Sequence, residues 1–140
     1  MRIKYVEVRA LCHATEDEDK VKGALSFLTG TNKIVEEKLT GVYGEPIIMM
    51  KVKEQGKEAM AAYERLISDE KNRQKLIDDL DLRLEGWKLH VRLDKQDLVK
   101  GSISVGSGDN TVKVVVGAGG KTEKGREAKS FFLGSMGVKC

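Results

Sequence analysis

The sequence predicts an α+β fold, with one mainly antiparallel sheet and helices packed on one face. Two observations support this class. Segments that alternate apolar and polar side chains are interleaved with segments whose apolar residues recur at helical spacing. Neighbouring strand-like segments are joined by short clusters of turn residues, as in hairpins. The length of 140 residues suits one domain, and we expect residues 1–140 to form a single unit without repeats or linkers.

The chain begins with a predicted strand at residues 2–12, followed by a helix. One face of the strand is apolar and the other carries Tyr5, Glu7 and Arg9. Thr15 to Glu18 has the form of a capping box, in which the threonine hydroxyl caps the helix start. The helix is expected to end near Gly30, because glycine readily adopts the backbone conformation that terminates helices.

Two strands and a long helical region are predicted next. Residues 33–40 and 46–53 read as a pair joined by a glycine-rich turn, and the second, being more apolar, is expected inside the sheet. Helical spacing then continues to about Leu82, with a restart at Ser68-Asp69, and Gly86 ends it.

The last third contains the clearest strand, residues 87–93. Trp87, Leu89, Val91 and Leu93 are predicted to face the core, so the intervening polar residues face away from it. Strands near 102–105 and 111–116 are predicted to form a hairpin around Gly108-Asp109-Asn110, and a helix from about Thr122 to Leu133 to close the chain.

The segment VVVGAGGKTEKG, residues 114–125, is similar to the start of a nucleotide-binding P-loop. The motif requires a glycine five residues before the one preceding the lysine, and Val115 occupies that position. The segment is therefore interpreted as a connection from a strand to the last helix, without nucleotide binding. If any ligand binds there, the sequence predicts phosphate or sulfate, held by the N–H groups at the start of the last helix.

Catalytic, metal and membrane functions have little support in the sequence. His13 and His90 lie far apart, and the acidic run from Glu16 to Asp19 is explained by its place at a helix start. Cys12 and Cys140 show no metal-binding spacing. No apolar run approaches the ~20 residues of a membrane span, and the N-terminus lacks the apolar core of a signal peptide. We expect a reduced, cytoplasmic protein that is not an enzyme and has no cofactor.

Positive charge is concentrated in the last third of the chain. The net charge is +3, yet residues 1–86 have 15 Lys and Arg against 17 Asp and Glu, whereas residues 87–140 have 10 against 5. Such an excess suits a polyanion such as nucleic acid.

The stretch from Arg92 to Asp97 is the most informative polar segment. Asp94 can cap a short turn, which is expected to direct Lys95 and Gln96 outward from the sheet edge. One interpretation is a solvated cap after a strand. The other is a cluster that contacts phosphate and ribose hydroxyls.

Two motifs in the chain, CHATED at Cys12 to Asp17 and RLDKQ at Arg92 to Gln96, resemble those of a family of small archaeal proteins. That family is described as RNA-binding and as a predicted exosome subunit. The resemblance covers nearly the whole chain and implies a fold like that of the ribosomal protein that binds five-S RNA.

The leading hypothesis is therefore RNA binding without catalysis, in RNA processing or decay, with exosome proteins as possible partners. Aromatic residues make up only 5% of the chain, which disfavours a stacking surface for single strands and favours backbone contacts to structured or double-stranded RNA. The candidate RNA-binding residues are Arg9, His13, Lys88, His90, Arg92, Lys95, Gln96, Lys113 and Lys121. The alternative is a protein-interaction module with weak or no RNA contact; a small enzyme is the third hypothesis.

Overall fold

The computed structural model describes residues 2–106, 108, 110–119 and 125–137. Its strands are β1 (Arg2–His13), β2 (Val35–Thr40), β3 (Pro46–Gln55), β4 (Leu84–Glu85), β5 (Lys88–Asp94) and β6 (Thr111–Gly119). Its helices are α1 (Glu18–Thr29), α2 (Gly56–Ile67), α3 (Glu70–Asp78), α4 (Leu80–Arg83), α5 (Lys95–Val99) and α6 (Gly125–Ser135). The predicted α+β class is confirmed.

The six strands of the described region form one antiparallel sheet in the order β2-β3-β1-β6-β5-β4. The alternating apolar residues of β1, β3, β5 and β6 are buried on one face together with the helices, in a single core that includes Val8, Met50, Leu89 and Val114. The opposite face carries the other half of each strand and is left uncovered by the described helices. This arrangement of helices on one face is the one predicted.

The cap of α1 differs from the prediction. The cap residue is Asp17, whose carboxylate accepts hydrogen bonds from the backbone N–H groups of Asp19 and Lys20. The expected capping box at Thr15 is therefore wrong, because the helix begins two residues later than that box requires. The predicted restart at Ser68-Asp69 is confirmed, since Asp69 caps α3 in the same way.

The predicted strand at 102–105 is also wrong. Both edges of β6 are occupied by β1 and β5, so residues 102–105 have no strand partner there. Val105 forms only an isolated bridge to Leu93. The buried Asn72 of α3 holds this segment instead, donating to Ile103 O and accepting from the backbone N–H of Val105.

The glycine-rich segment begins inside the sheet rather than in a loop. Gly117 and Gly119 belong to β6, where β-carbons at these positions would collide with the side chains of Tyr5 and Lys4. The register between β1 and β6 shifts between Ile3 and Tyr5, as in a β-bulge, so Ile3 remains in the core. Glycine thus makes room for two β1 side chains on the uncovered face. Residues 120–124, with the predicted start of the last helix at Thr122, lie outside the described residues.

None of the described helices is long and apolar enough to span a bilayer. Cys12 is buried in the core, and Cys140 lies outside the described residues.

Candidate nucleic-acid interface

Four cationic residues form a row across the uncovered face of the sheet, which we call the open face. Lys51 of β3 is paired with Arg9 of β1, Arg9 with Lys113 of β6, and Lys113 with Arg92 of β5. We call Lys51, Arg9, Lys113 and Arg92 the cationic row. With about 4.8 Å between adjacent strands, the row extends over about 14 Å, perpendicular to the strands.

The row results from the two-residue period of each strand. Arg9 lies between the buried Val8 and Ala10, and Arg92 lies between the buried Val91 and Leu93. Because apolar neighbours fix which face is buried, each cation must point to the open face. The pairing register then brings these positions side by side.

Direct opposition of like charges is unfavourable in a sheet, so the row has a cost in stability. Glu7 reduces this cost at one end, since its Oε1 lies 2.7 Å from Arg9 Nε and 3.8 Å from Lys51 Nζ. In the described part of the chain, neither Lys113 nor Arg92 has an ion-pair partner. The repulsion between these two cations is therefore not offset by a described carboxylate.

Depressions lie on both sides of the row, and Arg9, Arg92 and Lys113 line both of them. The larger has a volume of about 560 Å³ and is also lined by Lys88 and His90. The smaller has a volume of about 350 Å³, and its lining includes His13, Leu11 and Met49. The row thus lies between two concave surfaces, and the larger one also contains the carboxylates of Glu7 and Glu85.

An aromatic side chain is also present on the open face. The ring of Tyr5 lies over Gly117, and Lys53 Nζ lies 4.8 Å from the ring centroid. A lysine ammonium at this distance is attracted by the π-electrons of the ring. Tyr5 is half-buried and lines the larger depression, so it adds a flat surface beside the cations.

Six of the nine predicted RNA-binding residues lie on the open face: Arg9, His13, Lys88, His90, Arg92 and Lys113. Gln96 is exposed on α5, which packs against α1, and it lines neither depression. Lys121 lies outside the described residues. The structure therefore brings six of these residues together on the open face and separates Gln96 from them. Lys95, although buried, forms part of the wall of the smaller depression.

The expected outward orientation of Lys95 is wrong. Asp94 caps α5 as predicted, accepting from the backbone N–H of Asp97, but the Lys95 side chain is only 3% exposed. Its Nζ donates to Leu11 O and, at 2.7 Å, to Glu16 Oε1. The two motifs CHATED and RLDKQ thus meet through an ion pair inside the protein.

The Glu16 carboxylate is the centre of this contact. Burial raises its pKa, but hydrogen bonds from Lys95 Nζ and from the backbone N–H of His13, together with the positive charge of Lys95, outweigh burial and lower the pKa below its usual value. Burial and the nearby Glu16 carboxylate raise the pKa of the Cys12 thiol. Since Glu16 is ionised and paired, the HATED motif has a structural role at the junction of β1, α1 and α5.

Three open-face residues, Lys51, Lys53 and Tyr5, are not among the RNA-binding candidates from the sequence, although the sequence placed Tyr5 on the same face as Arg9. The alternation of residues 46–53 places Met50 and Val52 on the buried face of β3 and both lysines on its other face. The sequence of β3 alone therefore predicts that the two lysines point away from the core. The missing information was the pairing of β3 with β1, which places Lys51 beside Arg9.

Within the described ranges, no three His, Cys, Asp or Glu side chains are grouped so that they could hold a metal ion. The open face offers cations, hydrogen-bond donors and one aromatic ring, which suit an anionic polymer, together with the carboxylates of Glu7 and Glu85 and the apolar side chains of Leu11 and Met49.

Comparison with known proteins also points to an anionic polymer, namely RNA. A family model described as RNA binding matches residues 5–118. An uncharacterised protein of Methanocaldococcus jannaschii is 38% identical over 135 residues, covering 89% of this chain and 90% of that protein. A crystal structure of a DUF54 protein from Archaeoglobus fulgidus has a TM-score of 0.81 at 27% identity, covering 93% of this chain and 96% of the other. A DUF54 protein of Methanothermobacter thermautotrophicus has a TM-score of 0.79 at 21% identity, covering 97% and 98%.

Proposed function

Because the chain belongs to this family of RNA-binding proteins, whose matched relatives are archaeal, we propose that it binds structured RNA without catalysis, through the open face. The observation that carries the proposal is the cationic row. Four cations side by side on a sheet are unfavourable for the free protein, and a phosphate backbone laid across them removes that repulsion.

The open face favours backbone contacts over the reading of bases. Arg9, Arg92 and Lys113 present charge on a broad surface, and the two depressions beside them allow the curved backbone of a helical RNA to approach. Double-stranded RNA is recognised mainly through its shape, its phosphates and its 2′-hydroxyls, since its deep major groove is closed to side chains. A stem or a stem-loop is therefore the target we propose.

The test is the affinity for a fluorescein-labelled RNA stem-loop, measured by anisotropy at several salt concentrations. Arg92→Ala and Lys113→Ala should each weaken binding and reduce the salt slope by about one. Lys71→Ala is the matched control, because Lys71 is exposed on α3, on the helix side of the sheet. Equal affinities and slopes for all three folded variants would refute the proposal.

A second candidate function, docking on a protein partner, is favoured by the β2–β3 hairpin. Val42 and Tyr43 at its tip are each 94% exposed, although they are apolar or aromatic. Glu45 orders the tip by accepting a hydrogen bond from the backbone N–H of Tyr43. Association with exosome proteins in the cytoplasm, as the family resemblance implies, would use this end of the molecule and leave the cationic row free for RNA. Tyr43→Ser should then weaken the protein contact and leave RNA affinity unchanged.

A further inference from the structure

We propose that the smaller depression on the open face binds one unpaired nucleotide of the RNA. This inference rests on the proposed function and specifies the RNA further: a stem interrupted by a bulge or ended by an unpaired residue. The depression has a volume of about 350 Å³, which is too small for a helical stem and lies within the range of pockets for small ligands.

The walls of the depression differ in chemistry. Arg9, Arg92 and Lys113 supply positive charge on one side. Leu11 and Met49, which are directly paired between β1 and β3, supply an apolar surface. The exposed His13 and the half-buried Thr111 add polar groups.

A nucleotide with an unstacked base has the matching chemistry: an anionic phosphate, an apolar base face and a polar base edge. Inorganic phosphate would use only the cationic wall. A fully paired stem offers phosphates, but its bases are stacked inside the helix and cannot reach Leu11 and Met49. Of these three ligands, only the unpaired nucleotide uses both walls together.

β1 contributes the aliphatic side chain of Leu11 to the apolar wall. Leu11 is 42% exposed on a strand whose other open-face residues, Tyr5, Glu7, Arg9 and His13, are polar or amphipathic. Leu11 follows Arg9 by two residues, so a phosphate held at the cationic row and a base held at Leu11 are separated by about 7 Å along the strand. This separation suits two parts of one nucleotide.

The experiment compares two RNA stem-loops that differ by a single bulged 2-aminopurine nucleotide. The wild-type protein should bind the bulged RNA about tenfold more tightly, and the fluorescence of 2-aminopurine should change as the base leaves the helix for an apolar surface. The double variant Leu11→Ala/Met49→Ala should lose this preference and keep its affinity for the paired stem within about twofold, because the cationic row is unchanged.

Leu39→Ala is the matched control. Leu39 is 38% exposed on the same face, but it lies on β2 and does not line the depression. It should keep the full preference, and circular dichroism verifies the fold of each variant.

Three results would overturn the inference: equal affinity for the two RNAs, a preference that survives in the double variant, or competition by free adenosine monophosphate near the Kd of the RNA. The last result would assign the pocket to a free nucleotide. In each of these cases, salt-dependent binding of the paired stem would leave the proposed function intact. Failure of the wild type to bind either RNA would refute the proposed function as well.

Discussion

Lys113 of β6 and Arg92 of β5 are directly opposed in the sheet, with both side chains on the open face. Neither is neutralised by an ion pair within the described residues, and Arg9 lies on the other side of Lys113. Two adjacent pairs of like charges lower the stability of the sheet. The opposition of Lys113 and Arg92 is the observation on which the proposed anion contact rests.

Removing one of these charges should stabilise the free protein. Lys113→Thr keeps a residue that suits a strand and should raise the free energy of unfolding by about 0.5 kcal/mol at low salt, with less gain at high salt. Lys88→Thr is the control, because Lys88 lies on the same face between Gly117 of β6 and Glu85 of β4, so that its removal relieves no like charge and instead loses an opposite one. Urea unfolding at two salt concentrations measures the free energy of unfolding of both variants. A loss of stability in Lys113→Thr larger than in Lys88→Thr would contradict this explanation.

Glu7 should act as an internal competitor of the RNA backbone. Its carboxylate contacts both Arg9 and Lys51, so Glu7→Gln leaves these cations to the RNA and should raise affinity by about twofold to fivefold. The same change should lower stability at low salt, because the row loses its counter-charge. Glu37→Gln removes an equal charge from the open face at β2, opposite Met49, and should have a smaller effect on affinity. Equal effects of the two substitutions would show that only net charge matters.

Lys95 should prove important for stability and not for RNA contact. Lys95→Ala leaves Glu16 and Leu11 O without their partner in a largely buried place and should cost about 3 kcal/mol. RNA affinity of the folded fraction for a paired stem should stay within about twofold of wild type, since Lys95 is only 3% exposed and its ammonium group is bonded to Glu16 and Leu11 O. Chemical denaturation and anisotropy on the same samples separate the two effects. A fully stable variant that binds RNA poorly would restore the exposed role that the sequence suggested.

The ion pair of Glu16 should also give the fold a specific acid sensitivity. The folded-state pKa of Glu16 lies below its usual value of 4.5, so the ionised carboxylate stabilises the fold above that pH. This contribution should be lost as the pH falls through the folded-state pKa. The stability difference between wild type and Glu16→Gln should therefore be largest near neutral pH and shrink as the pH falls below 4.5. A difference that is constant from neutral pH to pH 3 would exclude the linkage.

The sequence was sufficient for the parts of the fold that depend on local pattern. The alternation around Val8 and Val91 predicted which residues are buried, and hence that Arg9 and Arg92 face away from the core. The local pattern does not predict which distant strands pair with each other. For that reason residues 102–105 were assigned to a hairpin, although β1 and β5 occupy both edges of β6.

In the candidate site, too, local pattern predicted the residue types and strand pairing determined their positions. The charge of Lys51 was visible, but its place beside Arg9 depends on the register of β3 against β1. Lys95 was misjudged because a lysine after a strand is usually exposed. Its burial depends on Glu16, 79 residues earlier, which supplies the counter-charge within hydrogen-bond distance.

The most direct test of the open face uses neighbouring residues whose side chains lie on opposite sides of the sheet. Val115 is half-buried on the open face, whereas the next residue back, Val114, is buried in the core. In isotope-filtered NMR spectra of the protein bound to a stem-loop RNA, the methyl groups of Val115 and Leu11 should show nuclear Overhauser effects to ribose protons. The methyl groups of Val114 should show none. Contacts to ribose from exposed helix residues such as Leu82, with none at Val115 and Leu11, would place the RNA on the other side of the protein and contradict the account.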